Sequence, residues 1–221
     1  YVSMTGDVDL MLHHWRKAKA LADWLIWRWR ASITDYAPDD PRYGIPPGLD
    51  EGDGFIAIFA GHPGSHGGYA NQLGHDYSCA GGVYRGFADA GEMWATIGKA
   101  HGRADVAAHG AELLAIAPKL RAAIQSSIAK TSFAITEPGV RQGKTCIRNS
   151  AGSSRPGRPN LPTPNSSCTD GGGRSYPELF YSGVLSRQQV DDIYETLTTS
   201  NNSKYVTRPM TLGCAGYNNK Q

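Results

Sequence analysis

The side chains that could do chemistry are concentrated in one glycine-rich stretch, from Tyr43 to Gly86. It reads YGIPPGLDEGDGFIAIFAGHPGSHGGYANQLGHDYSCAGGVYRG. Acidic, basic and aromatic groups lie close together there, on backbone that can bend sharply at its glycines, which suits a site for a polar ligand. The candidate groups are Asp50, Glu51, Asp53, Asp76, His62, His66, His75, Tyr43, Tyr69, Tyr77 and Arg85.

Four carboxylates are the candidate catalytic residues: Asp50, Glu51, Asp53 and Asp76. Glycoside hydrolysis uses two carboxyl groups about 5 to 10 Å apart, one as proton donor and the other as base or nucleophile. Neighbouring carboxylates raise each other's pKa, so one of them can stay protonated near neutrality. The alternatives are a solvated turn for the first three and a helix N-cap for Asp76.

The candidate substrate-binding residues are Tyr43, Tyr69, His75, Tyr77 and Arg85. A tyrosine ring can stack on a sugar while its hydroxyl group stays polar, and ordinary packing is the equal alternative. Arg85 has the alternative role of anchoring a buried carboxylate.

We expect no cofactor and no metal. Calcium at the acidic residues is a minor alternative, but their spacing does not fit an EF-hand loop. Zinc held by His62, His66 and His75 is a second, although a glycine-rich loop imposes no ligand geometry and no close cysteine pair helps.

Composition limits the class of protein. At 221 residues and 40% apolar, the chain can form one core, so we predict one domain over residues 1–221. The net charge is +2, with basic and acidic residues interspersed, which predicts no nucleic-acid partner. No apolar run reaches the roughly 20 residues of a membrane span, so we predict none.

Cysteines and glycan acceptors favour an extracellular, secreted protein. Cys146 and Cys168 bracket a segment rich in proline and glycine, where a disulfide would constrain a loop, and Cys79 and Cys214 are a further candidate pair. Two N-x-S acceptor sites place candidate glycans on Asn165 and Asn201.

Apolar periodicity predicts helices on either side of the chemical stretch. The first runs from Asp7 to about Ile33, and we expect its tryptophans to pack in the core rather than stack on sugars. The second covers about Ala80 to Ile97, with Gly98 as its left-handed C-cap. A third continues to about Lys130, and the short link makes it an antiparallel neighbour in which Gly91 and Gly110 allow close approach.

The remaining chain is less regular. Residues 131–175 are rich in Gly, Pro, Ser, Thr and Asn, which predicts an excursion loop within the domain. Ser186 and Gln189 form a capping-box pattern that opens a short helix to about Leu197. The fold class is therefore all-α, with antiparallel helical hairpins, long irregular loops and little strand.

The order of these features resembles the six-hairpin glycosidase superfamily, whose fold is an (α/α)6 toroid. The resemblance rests on the tryptophan-rich helix, the YGIPPGLDEGD turn and the segment HDYSCAGGVYRGFADAGEMWATIG. It implies a carbohydrate site among the loops at one end of the helices. Pro47-Gly48-Leu49-Asp50 is similar to the turn whose aspartate is the general acid of relatives, which implies that Asp50 is the proton donor.

The resemblance also implies an incomplete ring, because a toroid has twelve helices and this chain shows four or five. We therefore expect self-assembly or a partner chain to cover an open helical face. The function we predict is a glycoside hydrolase-like protein that acts on carbohydrate. The alternatives are a non-catalytic secreted glycan-binding or assembly glycoprotein, and a polysaccharide lyase that uses Tyr69, Asn71, His75 and Arg85.

Overall fold

A computed structural model describes residues 5–48, 74–136, 142–153, 159, 161–162 and 175–199. The helices of this part are α1 (Val8–His13), α2 (Trp15–Thr34), α3 (Tyr77–Ala100), α4 (Ala104–Thr131), α5 (Ser175–Ser182) and α6 (Arg187–Thr199). The strands are β1 (Gly74–Asp76), β2 (Phe133–Ala134), β3 (Thr145–Cys146) and β4 (Ser150–Ser153). The described chain is mostly helical with little strand, which confirms the all-α prediction. None of its helices has both the length and the apolar composition that crossing a bilayer requires.

The centre of the fold is an antiparallel hairpin of α3 and α4, as the short link between them predicts. Gly102 in that link has a φ of 64°, a left-handed conformation that favours glycine. The apolar faces of the two helices supply much of the main core. Their buried members include Phe87, Trp94, Val106, Leu113, Leu120, Ile124 and Ile128.

Glycines bring the two backbones of the hairpin into contact. A Cβ atom on Gly110 would lie 2.4 Å from the backbone nitrogen of Ala95, and one on Gly98 would lie 2.3 Å from that of Ala107. Because no side chain fits in such a gap, both positions require glycine. The prediction for Gly110 is confirmed. The prediction for Gly98 as a C-cap is wrong, because α3 continues to Ala100 and Gly98 is a packing position.

The predicted first helix is divided at His14 into α1 and α2. α2 joins the hairpin through polar as well as apolar contacts. The Trp15 indole donates a hydrogen bond of 3.1 Å to Asp105 on α4, and the Arg30 guanidinium pairs with Glu112 at 3.1 Å.

The tryptophans of α2 differ in their surroundings. Trp15 and Trp29 are buried in the core, as expected. Trp24 and Trp27 are 52% and 58% exposed. The core prediction is therefore wrong for these two, because no described element covers that side of the helix.

Within residues 131–175, three short strands interrupt the predicted loop. β2 pairs with β3, and β4 pairs antiparallel with β1, placing Asp76 opposite Ser150. The Tyr77 amide also donates to the Asn149 carbonyl at 2.9 Å. This part of the loop is thus attached to the beginning of α3.

The C-terminal helices pack on the hairpin. The Gln125 amide of α4 donates to the Val184 carbonyl at 2.7 Å, between α5 and α6. At the start of α6, the Ser186 amide donates to Gln189 Oε1 at 2.8 Å, and the Gln189 amide donates to Ser186 Oγ at 3.2 Å. These reciprocal bonds confirm the predicted capping box.

The glycine contact predicts opposite effects for two matched substitutions. Gly110→Ala should lower the free energy of unfolding by about 1–3 kcal/mol or more, because the new methyl group meets backbone. Gly86→Ala on α3 should raise it by up to about 1 kcal/mol, because alanine favours helix and nothing lies within 4 Å of the added Cβ. Urea unfolding followed by circular dichroism measures both. Equal effects would contradict the packing role of Gly110.

Candidate functional site

The segments that carry the site candidates meet at one end of the hairpin, opposite the 101–103 link. There the Tyr77 hydroxyl, at the start of α3, hydrogen-bonds to Ser127 Oγ and Thr131 Oγ1 at the end of α4, each at 2.8 Å. Ser127 Oγ also donates to the Pro41 carbonyl, and the Lys130 ammonium donates to the Pro38 carbonyl at 2.7 Å. The connection after α2 is thus held against the end of α4.

A backbone hydrogen bond joins the two borders of residues 49–73. The Gly48 amide donates to the Gly74 carbonyl at 2.9 Å, and the two residues form an isolated antiparallel bridge. Gly48 also lies against Cys79, since a Cβ on this glycine would be 2.9 Å from the Cys79 Cβ. The chain therefore leaves and re-enters the described fold at a single point beside the start of α3.

Asp76 lies at that point. It is nearly buried, with 8% of its surface exposed, and it occupies the N-cap position of α3. Its side chain makes no capping hydrogen bond with the helix. The predicted alternative of an N-cap is thus correct in position, but the carboxylate does not perform the bonding that usually selects aspartate there.

His75 is a buried neutral imidazole. Its Nδ1 lies 2.6 Å from the Ile45 carbonyl and its Nε2 lies 3.0 Å from the Tyr36 hydroxyl. A carbonyl only accepts, so Nδ1 carries the proton and Nε2 accepts from Tyr36. Burial lowers the pKa of His75 to about 4. The ring is buried with both nitrogens bonded, so these contacts give no support to a role of His75 in substrate binding, zinc binding or a lyase reaction, and those roles stay predictions.

A partly buried ion pair supports the Tyr36 and His75 contact. The Arg42 guanidinium donates two hydrogen bonds to Asp40, at 2.9 and 2.7 Å, and lies 4.3 Å from the centre of the Tyr36 ring. Burial alone would raise the pKa of Asp40, but the hydrogen bonds and charge of Arg42 outweigh burial and lower it. Since both groups stay charged, this pair fixes the connection after α2.

Tyr77 is packed inside the described fold, and its predicted contact with substrate stays a prediction that this position does not support. Its side chain is completely buried, and burial raises the pKa of its hydroxyl to about 12. The hydroxyl group bonds to α4 instead of facing a ligand.

The two remaining described candidates have different positions. Tyr43 is half-buried in the connection after α2, at the same end as Asp76. Arg85 is exposed on α3 and pairs with Asp89 at 2.6 Å, one helical turn away. That carboxylate is exposed too, so the alternative that Arg85 anchors a buried one is wrong.

Other predicted residues lie outside the described part of the chain and stay predictions. They are Asp50, Glu51, Asp53, His62, His66, Tyr69, Asn71, Asn165, Cys168, Asn201 and Cys214. Cys146 is buried on β3. Its pairing with Cys168 stays a prediction, because Cys168 lies outside the described residues. Cys79 is half-buried on α3, and its pairing with Cys214, which lies outside the described residues, stays a prediction. In the described segments, no three His, Cys, Asp or Glu side chains are grouped to hold a metal ion.

A cavity of about 530 Å³ adjoins Gly48, between α2 and α3. Its walls are mostly apolar side chains of both helices, together with Pro46, Pro47 and the charged Arg28. The sequence prediction missed this site. The signals that could have found it are the small residues Gly82, Gly86 and Ala90, which recur every fourth position on α3 and line the cavity.

We compared the chain with models of protein families, with curated proteins and with solved structures, and none of the three comparisons found a match.

The pKa of His75 predicts an acid-sensitive contribution to stability. The folded value is about 4 and the ordinary value 6.5, so the unfolded state binds more protons between these pH values. The contribution is complete above pH 6.5 and is lost as the pH falls towards 4. From pH 7 to pH 5 the wild type should lose about 2 kcal/mol more than His75→Gln.

Urea unfolding at several pH values measures this difference, and NMR titration of the His75 ring should show it neutral down to about pH 4. His101→Gln, at an exposed histidine, is the matched control and should keep the wild-type pH dependence. A His75 ring that titrates near pH 6.5 would contradict the buried, neutral assignment.

Proposed function

We propose that this protein is a carbohydrate-active protein of glycoside-hydrolase type, with Asp50 and Asp76 as its two carboxylates. The observation that carries the proposal is the hydrogen bond between the Gly48 amide and the Gly74 carbonyl. Asp50 lies two residues after Gly48, and Asp76 lies two residues after Gly74. The hydrogen bond therefore brings the beginning of the acidic sequence close to Asp76.

The covalent chain then limits the separation of the two carboxylates. Asp50 follows Gly48 by two residues, so its Cα lies within about 7 Å of the Gly48 Cα. The same limit applies to Asp76 and Gly74. The separation of about 5 to 10 Å that glycosidases need is therefore within reach of these two side chains.

The proposed roles differ because the surroundings differ. Asp76 is at the N-terminus of α3, where negative charge is favoured, which suits a base or nucleophile. Asp50 would be the proton donor, as the resemblance to the toroid glycosidases implies, with Glu51 and Asp53 as alternative donors. The hairpin of α3 and α4, with its loops at one end, supports the resemblance to these glycosidases. It does not bear on whether further helices complete a ring.

An exposed aromatic ring beside the acidic sequence further supports a carbohydrate ligand. Trp24 is half exposed and lines the cavity that extends to Gly48. Tryptophan at such a position presents an apolar face on which a sugar ring can stack. This is the role that the core-packing prediction rejected for the tryptophans of α2.

The test is hydrolysis of an oligosaccharide panel, followed by the release of reducing ends. We expect at least one substrate to be cleaved, and Asp76→Asn or Asp50→Asn to lower kcat by about 10²–10⁴ with little change in KM. Asp89→Asn on the exposed side of α3 is the control and should keep full activity. No cleavage by the wild type would contradict the proposal, and an unsaturated product that absorbs ultraviolet light would identify a lyase instead.

A second candidate function is assembly through the exposed face of α2, as a secreted, non-catalytic protein. Leu21, Trp24 and Trp27 are all more than half exposed on that helix. Large apolar side chains grouped on a surface mark interaction sites, and a second copy of the chain or a partner chain would cover them.

Light scattering after size-exclusion chromatography tests this candidate. Self-association of the wild type should weaken at least tenfold in Leu21→Lys and Trp27→Lys, because each substitution places a charge in the apolar contact. Tyr181→Lys, at an exposed aromatic residue on α5, should leave it unchanged. A wild type that stays monomeric at high concentration would argue against self-assembly.

A further inference from the structure

The cavity beside Gly48 has the size and lining of a small-molecule site. Its volume of about 530 Å³ is within the usual range for ligand pockets, roughly 300–1,000 Å³. α2 contributes Leu21 and Leu25, and α3 contributes Val83 and Phe87. These walls favour an apolar body rather than a polar one, because they offer it few hydrogen bonds.

Glycine keeps the α3 wall of the cavity open. Gly82 and Gly86 both line it, and a Cβ atom on either would have nothing within 4 Å. The space above these residues is therefore not used by packing in the described part of the chain. A side chain added at Gly86 would begin in this open space.

Arg28 is the one charged residue among the described residues that line the cavity. Its guanidinium carbon lies 5.5 Å from the centre of the Trp27 ring. Its Nε atom is buried and has no hydrogen-bond partner within the described segments. Arg28 as a whole is only partly buried, so it brings an incompletely bonded cation to the wall of the cavity, where an anionic acceptor would be favoured. A carboxylate matches both the charge and the planar geometry of a guanidinium.

We infer that this cavity binds a small amphiphile that has an apolar chain and one carboxylate, with the chain against α2 and α3 and the carboxylate at Arg28. The cavity shares Trp24 with the proposed carbohydrate site, but this inference uses neither Asp50 nor Asp76. Its ligand is defined by the combination of an apolar cavity and one cationic side chain on the cavity wall.

Calorimetric titration of the full chain with decanoate and with decanol tests this inference. Both should bind once per chain, since both have the apolar body. Arg28→Gln should weaken decanoate at least tenfold and leave decanol within twofold, because only decanoate has a charge for the guanidinium. Arg30→Gln, which removes an exposed cation from the same helix, should change neither affinity.

Gly86→Leu locates the site, because it fills the cavity and should abolish binding of both probes while the helical circular dichroism signal is retained. Failure of the wild type to bind either probe would overturn the inference and indicate that another part of the chain or a second copy covers the cavity. Equal losses for decanoate and decanol in Arg28→Gln, or retained binding in Gly86→Leu, would overturn it as well.

Discussion

The direct backbone contact between α3 and α4 is the constraint on which the described structure depends. At Gly98 and Gly110 the two helices approach until no side chain fits between them, which fixes their axial register as well as their distance. That register aligns Tyr77 with Ser127 and Thr131 at the far end of the pair. The ends of the hairpin thereby become different: one has a link of three residues, and the other collects the connections from α2, β1 and β2.

At the loop end, buried polar groups take the place of apolar packing. Neutral His75 joins Ile45 to Tyr36, and the charged pair of Arg42 and Asp40 holds the other side of that ring. Removing one partner of such a pair leaves a buried charge, so these contacts tolerate little rearrangement. The result is a rigid frame on both sides of the Gly48 and Gly74 bridge, which is where precise positioning of a catalytic carboxylate would be needed.

Sequence reasoning found those features whose cause is local. Apolar periodicity gave the helices, and the capping box at Ser186 and Gln189 is a pattern within four residues. Gly98 shows the limit, because a glycine near a helix end is compatible with both a C-cap and a close packing position. The deciding neighbour, Ala107, belongs to the next helix. The burial of His75 and Tyr77 is not evident from the sequence for a similar reason, since their partners are far away in the chain.

One signal for the true role of Tyr77 was present in the sequence. Ser127 and Thr131 are hydroxyl residues four positions apart, and they continue the apolar face of α4. Such residues on a buried face require a polar partner inside the protein, and a tyrosine hydroxyl is a suitable one. The exposure of Trp24 and Trp27 had no comparable signal, because apolar residues surround most of that helix and periodicity does not identify which side a neighbour covers.

Gly48 links the two proposed sites physically but leaves them chemically distinct. On one side its amide holds Gly74 and so determines the position of Asp76, and on the other side it forms part of the apolar cavity. A polar reaction centre and an apolar cavity can adjoin when a residue without a side chain separates them, because each then keeps its own solvation. Since a Cβ at Gly48 would press on Cys79, a larger residue there would disturb both sites through a single backbone shift.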